Sequence, residues 1–240
     1  MRIPFRRLIS KAGGHEQGSV AIRDKDVIES FCADPTNTFL VSFPRTGSHW
    51  VRMLMELYFE RPSLLRAFYH RDRMDYLTLH THDLKLDIER SHVIYLYRHP
   101  VDTIFSQLRY HGESAEDADR ILHWSDLYGR HLEKWLIREH FTRRKTTLAY
   151  EEMKEDLVGV FRRVTDHFDA SLDEFRLLAA AERVTKDEVK RRASHDPQAV
   201  QESPEYEMAR QAFRERNGQL VWQALTRARP HLLDILPYSR

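Results

Sequence analysis

The stretch Phe39-Leu-Val-Ser-Phe-Pro-Arg-Thr-Gly-Ser-His-Trp-Val-Arg-Met-Leu-Met-Glu-Leu57 decides the fold. Phe39 to Phe43 is an apolar run rich in β-formers that stops at Pro44, which predicts a buried strand. From Gly47 or Ser48 onward, Trp50, Val51, Met53, Leu54, Leu57 and Tyr58 cover more than one face of a helix, so that helix should pack against a sheet. Between strand and helix lie one cation, two hydroxyls and a glycine: Arg45, Thr46, Gly47 and Ser48. Gly47 can take backbone angles at which successive N–H groups converge, and the helix N-terminus adds the positive end of its dipole. Such a strand–loop–helix predicts an anion site of the kind that holds phosphate. The fold class it implies is α/β, a single domain with a central parallel sheet flanked by helices. The nucleotide triphosphate loop Gly-x-x-x-x-Gly-Lys-Ser/Thr is not matched, because there is one glycine and the cation precedes it.

Further along, His92-Val-Ile-Tyr-Leu-Tyr97 reads as a central parallel strand. Arg98-His99-Pro100-Val101-Asp102 follows, with Pro100 suited to the first turn of a helix through Ile104, Phe105 and Leu108. A cation again sits where strand gives way to helix. Tyr76 to His82 alternates like a strand, which puts His80 and His82 on one side. Thr146 to Tyr150 is a further strand, running into the acidic start of a helix at Glu151 and Glu152.

These motifs, in this order, resemble the sulfotransferases that use 3′-phosphoadenosine 5′-phosphosulfate (PAPS). Phe43-Pro-Arg-Thr-Gly-Ser-His-Trp50 is similar to that family's 5′-phosphate loop, Tyr/Phe-Pro-Lys/Arg-Ser/Thr-Gly-Ser/Thr-x-Trp. Arg98, with Ser106 eight residues on, resembles its 3′-phosphate motif. Tyr150-Glu-Glu-Met-Lys-Glu-Asp156 resembles a segment whose tyrosine helps hold adenine. His80-Thr81-His82 resembles the Lys-Thr-His that carries the catalytic base, with His82 in the base position and His80 replacing lysine; which histidine acts stays open, and Asp75 and Asp83 are the carboxylate alternatives. Two looser similarities are Thr185-Lys-Asp-Glu-Val-Lys190, which nominates Thr185 for adenine, and Phe213-Arg-Glu-Arg-Asn-Gly218, which nominates Arg216, Asn217 and Gly218 for the 3′-phosphate.

The resemblance implies PAPS as sulfuryl donor, adenosine 3′,5′-bisphosphate (PAP) as product and no metal. It assigns Arg45, Thr46, Gly47, Ser48, His49, Trp50, Arg98, Ser106, Tyr150, Thr185, Arg216, Asn217 and Gly218 to the donor, and His82 with Arg45 to catalysis. The alternatives are a P-loop small-molecule kinase, which needs a loop lysine and magnesium, and a non-catalytic nucleotide-binding module. The acceptor is expected to be a hydroxyl on a glycan or another polar natural product, because residues 61–75 are rich in Arg and His; a solvated loop is the competing account of that segment.

The chain of 240 residues suits one domain, 1–240, with 1–36 peripheral and 194–212 a mobile loop by its polarity and two prolines. Within 1–36, Arg2, Arg6, Arg7 and Lys11 make a basic start that no apolar core follows, so it does not read as a secretory signal, and Gly13-Gly14 breaks the segment. A short helix is expected at Asp24 to Cys32. Charges nearly cancel, 38 basic against 37 acidic, which argues against general nucleic-acid binding. A lone cysteine, Cys32, allows no intrachain disulfide and fits a reducing compartment, so a cytoplasmic location is the expectation. No apolar run approaches the ~20 residues of a membrane span. An excised luminal domain and a homodimer both stay open. Helices are expected over Ser114 to Phe141, with Trp124, Tyr128 and His123 as acceptor-side candidates, and over 160–193, with Phe161, Val164, Phe168, Leu172, Phe175, Leu177, Leu178 and Val184 in the core.

Overall fold

In the computed structural model, residues 18–138 and 142–238 are described. The readings of the basic N-terminus and of Gly13-Gly14, and the end of the helix expected to Phe141, lie outside them. In chain order the elements are β1 (Val20–Ala21), α1 (Lys25–Ala33), β2 (Thr38–Ser42), α2 (Ser48–Phe59), β3 (Ser63–Leu64), β4 (Arg66–Ala67), β5 (Thr78–Thr81) and β6 (His92–Tyr97). Then come α3 (Pro100–His111), α4 (Ala118–Leu132) with a π-helical turn at Glu133–Ile137, β7 (Arg144–Ala149), α5 (Tyr150–Glu155), α6 (Leu157–His167), α7 (Glu174–Arg183), α8 (Lys186–Arg192), α9 (Pro204–Thr226) and α10 (Leu232–Ile235).

The five-stranded sheet has the order β3-β5-β2-β6-β7, with β2 at its centre and every neighbour parallel. Period-two alternation sends β2 to both faces. Phe39, Val41 and Phe43 enter the core under α3, α4 and α9 together with Val93 and Tyr95, while Leu40 joins Ile94, Leu96 and Leu148 under α2 and α6. Burial on both sides is why these strands read as continuous apolar runs. Of the expected strand from Tyr76, Thr78 to Thr81 forms it; β1 and β4 pair antiparallel apart from the main sheet.

Two expectations need correction, the loop at 194–212 and the burial of Phe175 and Leu178. The polar stretch 194–212 is loop only to Ser203, whose side chain caps α9 by accepting from the Tyr206 N–H, with Pro204 in the first turn. The stretch 160–193 is three helices, each started by a side-chain cap: Asp156, Asp173 and Thr185 accept from N–H groups of α6, α7 and α8. Because α7 is short and docks through Leu177 and Ala180, Phe175 and Leu178 face outward, 84% and 52% exposed, rather than entering the core. Among the described residues no helix is long and apolar enough to cross a membrane.

Candidate active site

The C-terminal ends of β2, β5, β6 and β7 open into a cleft of about 1060 Å³. Open parallel sheets place ligands at this edge, because helix N-termini and loops converge there. The loop after β2 turns sharply, Arg45 at φ 68° and Gly47 at φ 93°. A Cβ on Gly47 would lie 2.6 Å from Cδ2 and Cε2 of the Tyr150 ring, so the position needs glycine for both its angle and its clearance. Arg45, Gly47, Ser48, His49 and Trp50 line the cleft. Thr46 is fully buried, and its hydroxyl donates to the Phe43 carbonyl at 2.8 Å, which braces the loop from behind.

Arg98, at the end of β6, reaches the same space. Its backbone is held by Tyr128, whose hydroxyl donates to the Arg98 carbonyl at 2.8 Å and accepts from the Arg98 N–H at 3.1 Å. Its Nη1 donates to the Arg45 carbonyl at 3.3 Å, tying the two loops, and its guanidinium lies 4.8 Å from the centre of the Tyr150 ring. Arg98 Nε is buried with no hydrogen-bond partner and lies 4.0 Å from Glu151 Oε1. Trp50 and Tyr150 pack edge to face at 5.7 Å, and Val184, Thr185 and Val189 line the cleft with them.

Arg45 is fully engaged in this state. Its Nη1 meets Asp196 Oδ2 at 2.9 Å, its Nε meets Ser106 Oγ at 3.3 Å, its Nη2 donates to the Gln198 carbonyl, and Tyr110 stacks beneath it at 4.9 Å. His49 Nε2 lies 3.5 Å from the same Asp196 oxygen. Burial alone would raise the Asp196 carboxyl, but its contacts with His49 and Arg45 outweigh that and hold it at about 2. The loop from His195 to Glu202 thus folds over the Arg45 loop and presents a carboxylate to it.

The two histidines separate by their partners. His82 Nδ1 lies 2.8 Å from the Ser42 carbonyl and so carries the proton, leaving Nε2 as the acceptor in a cleft-lining residue. His80 Nε2 is paired with Ser42 Oγ at 3.0 Å. Burial lowers the pKa of both, that of His80 further, so both rings are neutral near pH 7. Beneath them His131 donates from Nε2 to the His82 carbonyl at 2.8 Å and meets the Tyr95 hydroxyl at 2.9 Å through Nδ1; burial takes it to about 3, which fixes it as a neutral strut. The carboxylate alternatives are occupied: Asp83 is clamped by Arg90 at 3.1 Å, and Asp75 by Arg73 at 2.7 Å.

The remaining candidates scatter. Ser106 and Thr185 line the cleft, the latter while capping α8. Arg216, Asn217 and Gly218 do not reach it: α9 is helical through them, Arg216 pairs with Glu116 at 2.5 Å and Asn217 donates to the Ala115 carbonyl at 3.1 Å. The first turns of that helix instead bring Tyr206, Glu207 and Arg210 to the rim. Of the acceptor-side candidates Trp124 lines the cleft, Tyr128 supports Arg98, and His123 is exposed away from it. Sequence reasoning missed Asp196 and Gln198, which have no motif spacing, and Arg52, hidden in an apolar helix. Among the described residues no three His, Cys, Asp or Glu side chains gather as a metal would need.

Residues 70–174 match the model of a family described as the sulfotransferase family, a span that includes His82, Arg98, Ser106 and Tyr150 but not the Arg45 loop. Among solved structures, a mouse sulfotransferase, SULT7A1, complexed with PAP superposes with a TM-score of 0.53 at 18% identity, covering 85% of this chain and 92% of that one. A retinol dehydratase in complex with androsterone and PAP gives 0.52 at 15% identity, over 88% and 90% of the two chains. At these identities the structures show a common fold. A search of curated protein sequences finds no match. The chain is thus similar to the sulfotransferase family over residues 70–174 and shares the fold of these solved structures.

Proposed function

We propose that the chain transfers a sulfuryl group from PAPS to a hydroxyl of a polar acceptor, a glycan or similar natural product, and releases PAP. The observation that carries the donor is that Arg98 and Arg45 line one cleft together with the N-terminus of α2. Two cations and convergent backbone donors suit a nucleotide with phosphates at both ends of its ribose. The aromatic wall that Trp50 and Tyr150 give the cleft suits the base.

Four tasks divide among the residues. Arg98 and Ser106 hold the 3′-phosphate; Arg45, Gly47 and Ser48 hold the 5′ end. His82 Nε2 takes the proton from the acceptor hydroxyl as its oxygen bonds to sulfur. Arg45, permanently charged, neutralises the negative charge that grows on the phosphate oxygen as the sulfur–oxygen bond breaks. The cleft walls fix the line of attack, which supplies much of the rate in transfers of this kind. A kinase would need a lysine in the loop, and Arg45 is the cation there.

The test is calorimetric titration with PAP in the absence of magnesium, with AMP and ATP alongside. Tight binding of PAP that disappears in Arg98→Ala supports the assignment. Preference for magnesium-ATP would replace it with a kinase.

A further inference from the structure

Away from the nucleotide slot the cleft ends on two arginines that donor binding leaves unused. Arg52, one turn into α2, is only 5% exposed, yet it lines the cleft. Its Nε donates to Ser63 Oγ at 3.2 Å, its Nη2 to the Arg66 carbonyl at 2.9 Å, and its guanidinium lies 4.9 Å from the centre of the Phe68 ring. Nη1 donates to no protein atom among the described residues. Glu56, one turn further along α2, balances the charge from a distance, but its carboxylate is taken by the N–H groups of Phe68, Tyr69 and His70 at 2.7–3.1 Å. Burial lowers Arg52 to about 10, so it is still a cation at neutral pH.

Arg66 donates from Nη1 to Ser19 Oγ at 2.9 Å and has no carboxylate partner among the described residues. Its charged neighbour Arg23 is of the same sign. The other titratable groups facing this end are His49, His80, His82 and His195, all kept neutral by burial, and Asp196, already engaged by Arg45 and His49. The end of the cleft beside the proposed base therefore holds fixed positive charge and a guanidinium donor with nothing to receive it.

We propose that this end is an anion subsite for the acceptor: the substrate carries a carboxylate or sulfate ester besides its reacting hydroxyl, and Arg52 with Arg66 holds that group while the hydroxyl faces His82. The inference rests on the sulfotransferase reading and narrows its acceptor to acidic molecules such as uronic-acid sugars. Rigid guanidinium forks suit a carboxylate, and binding at a fixed distance from the base would orient the hydroxyl.

The experiment uses protein with 15N-labelled arginine, loaded with PAP, and follows the side-chain Nε–H resonances during titration with glucuronate, glucose 6-sulfate and glucose. Saturable shifts of Arg52 and Arg66 with either acid, absent with glucose, support the subsite, and the acid that acts names the group. Arg66→Gln should weaken that binding roughly ten-fold, with PAP affinity unchanged. No shift with either acid, or an equal shift with glucose, overturns it. The same titration without PAP separates the two claims. Failure of PAP to bind while the Arg52 and Arg66 shifts persist sinks the donor assignment alone; normal PAP binding without those shifts sinks the subsite alone.

Discussion

Asp196→Asn should make the donor site bind more tightly. Asp196 neutralises Arg45 at 2.9 Å, with both side chains little exposed at 13% and 12%. A phosphate must take Arg45 from it. The Asp196 carboxyl is lowered from 3.8 to about 2. At ~1.4 kcal/mol per pKa unit, that corresponds to roughly 2 kcal/mol of interaction with the ionised side chain. Part of this belongs to His49 and the Gln198 N–H, so about half, ~1 kcal/mol or roughly five-fold in affinity, is at stake at Arg45. The variant keeps shape and removes charge. Calorimetry at pH 7.5 without magnesium should show PAP binding about five-fold tighter than in the unaltered protein. Stability should move the opposite way. A depressed carboxyl pKa stabilises the fold above 3.8, and that contribution is lost as pH falls through about 2, so the asparagine variant should melt a few degrees lower at neutral pH only. Unchanged or weaker PAP binding by a folded variant would refute the competition and make the Asp196 loop part of the bound site.

Other outcomes follow from the same geometry. His82→Gln should lower turnover by roughly 10²-fold or more while sparing PAP affinity, as loss of a general base does; equal losses in both would make it a binding residue. Because burial lowers the His82 pKa, the acid limb of the rate profile should fall below pH 6.5, the deprotonated ring being the active form, and a limb at or above that value would contradict the assignment. Arg98→Ala should weaken PAP binding some ten- to a hundred-fold, read by calorimetry, since it removes charge-assisted donors. Gly47→Ala should lower the melting temperature by several degrees, because its Cβ would meet the Tyr150 ring at 2.6 Å in a backbone state at φ 93° that costs roughly 1–3 kcal/mol.

The sequence by itself determined what local chemistry can encode. Apolar runs bounded by proline and glycine fixed β2, β6 and the helices that follow them, because strand burial and helix starts depend on residues adjacent in the chain. The Arg45 loop, Arg98 and Tyr150 were legible for the same reason: each is a strand end facing a helix N-terminus. Only the tertiary structure distinguishes the surroundings of His80 and His82, through Ser42, whose carbonyl fixes one ring and whose hydroxyl occupies the other. It alone removed Arg216 to Gly218 from the cleft, because whether α9 continues through them depends on its packing against α3 and α4 rather than on a motif. It alone brought Asp196 to Arg45 and put Arg52 on the cleft wall. Contacts between residues this far apart in the chain leave no period or spacing to read, and they exist only once the sheet has gathered its loops at one edge.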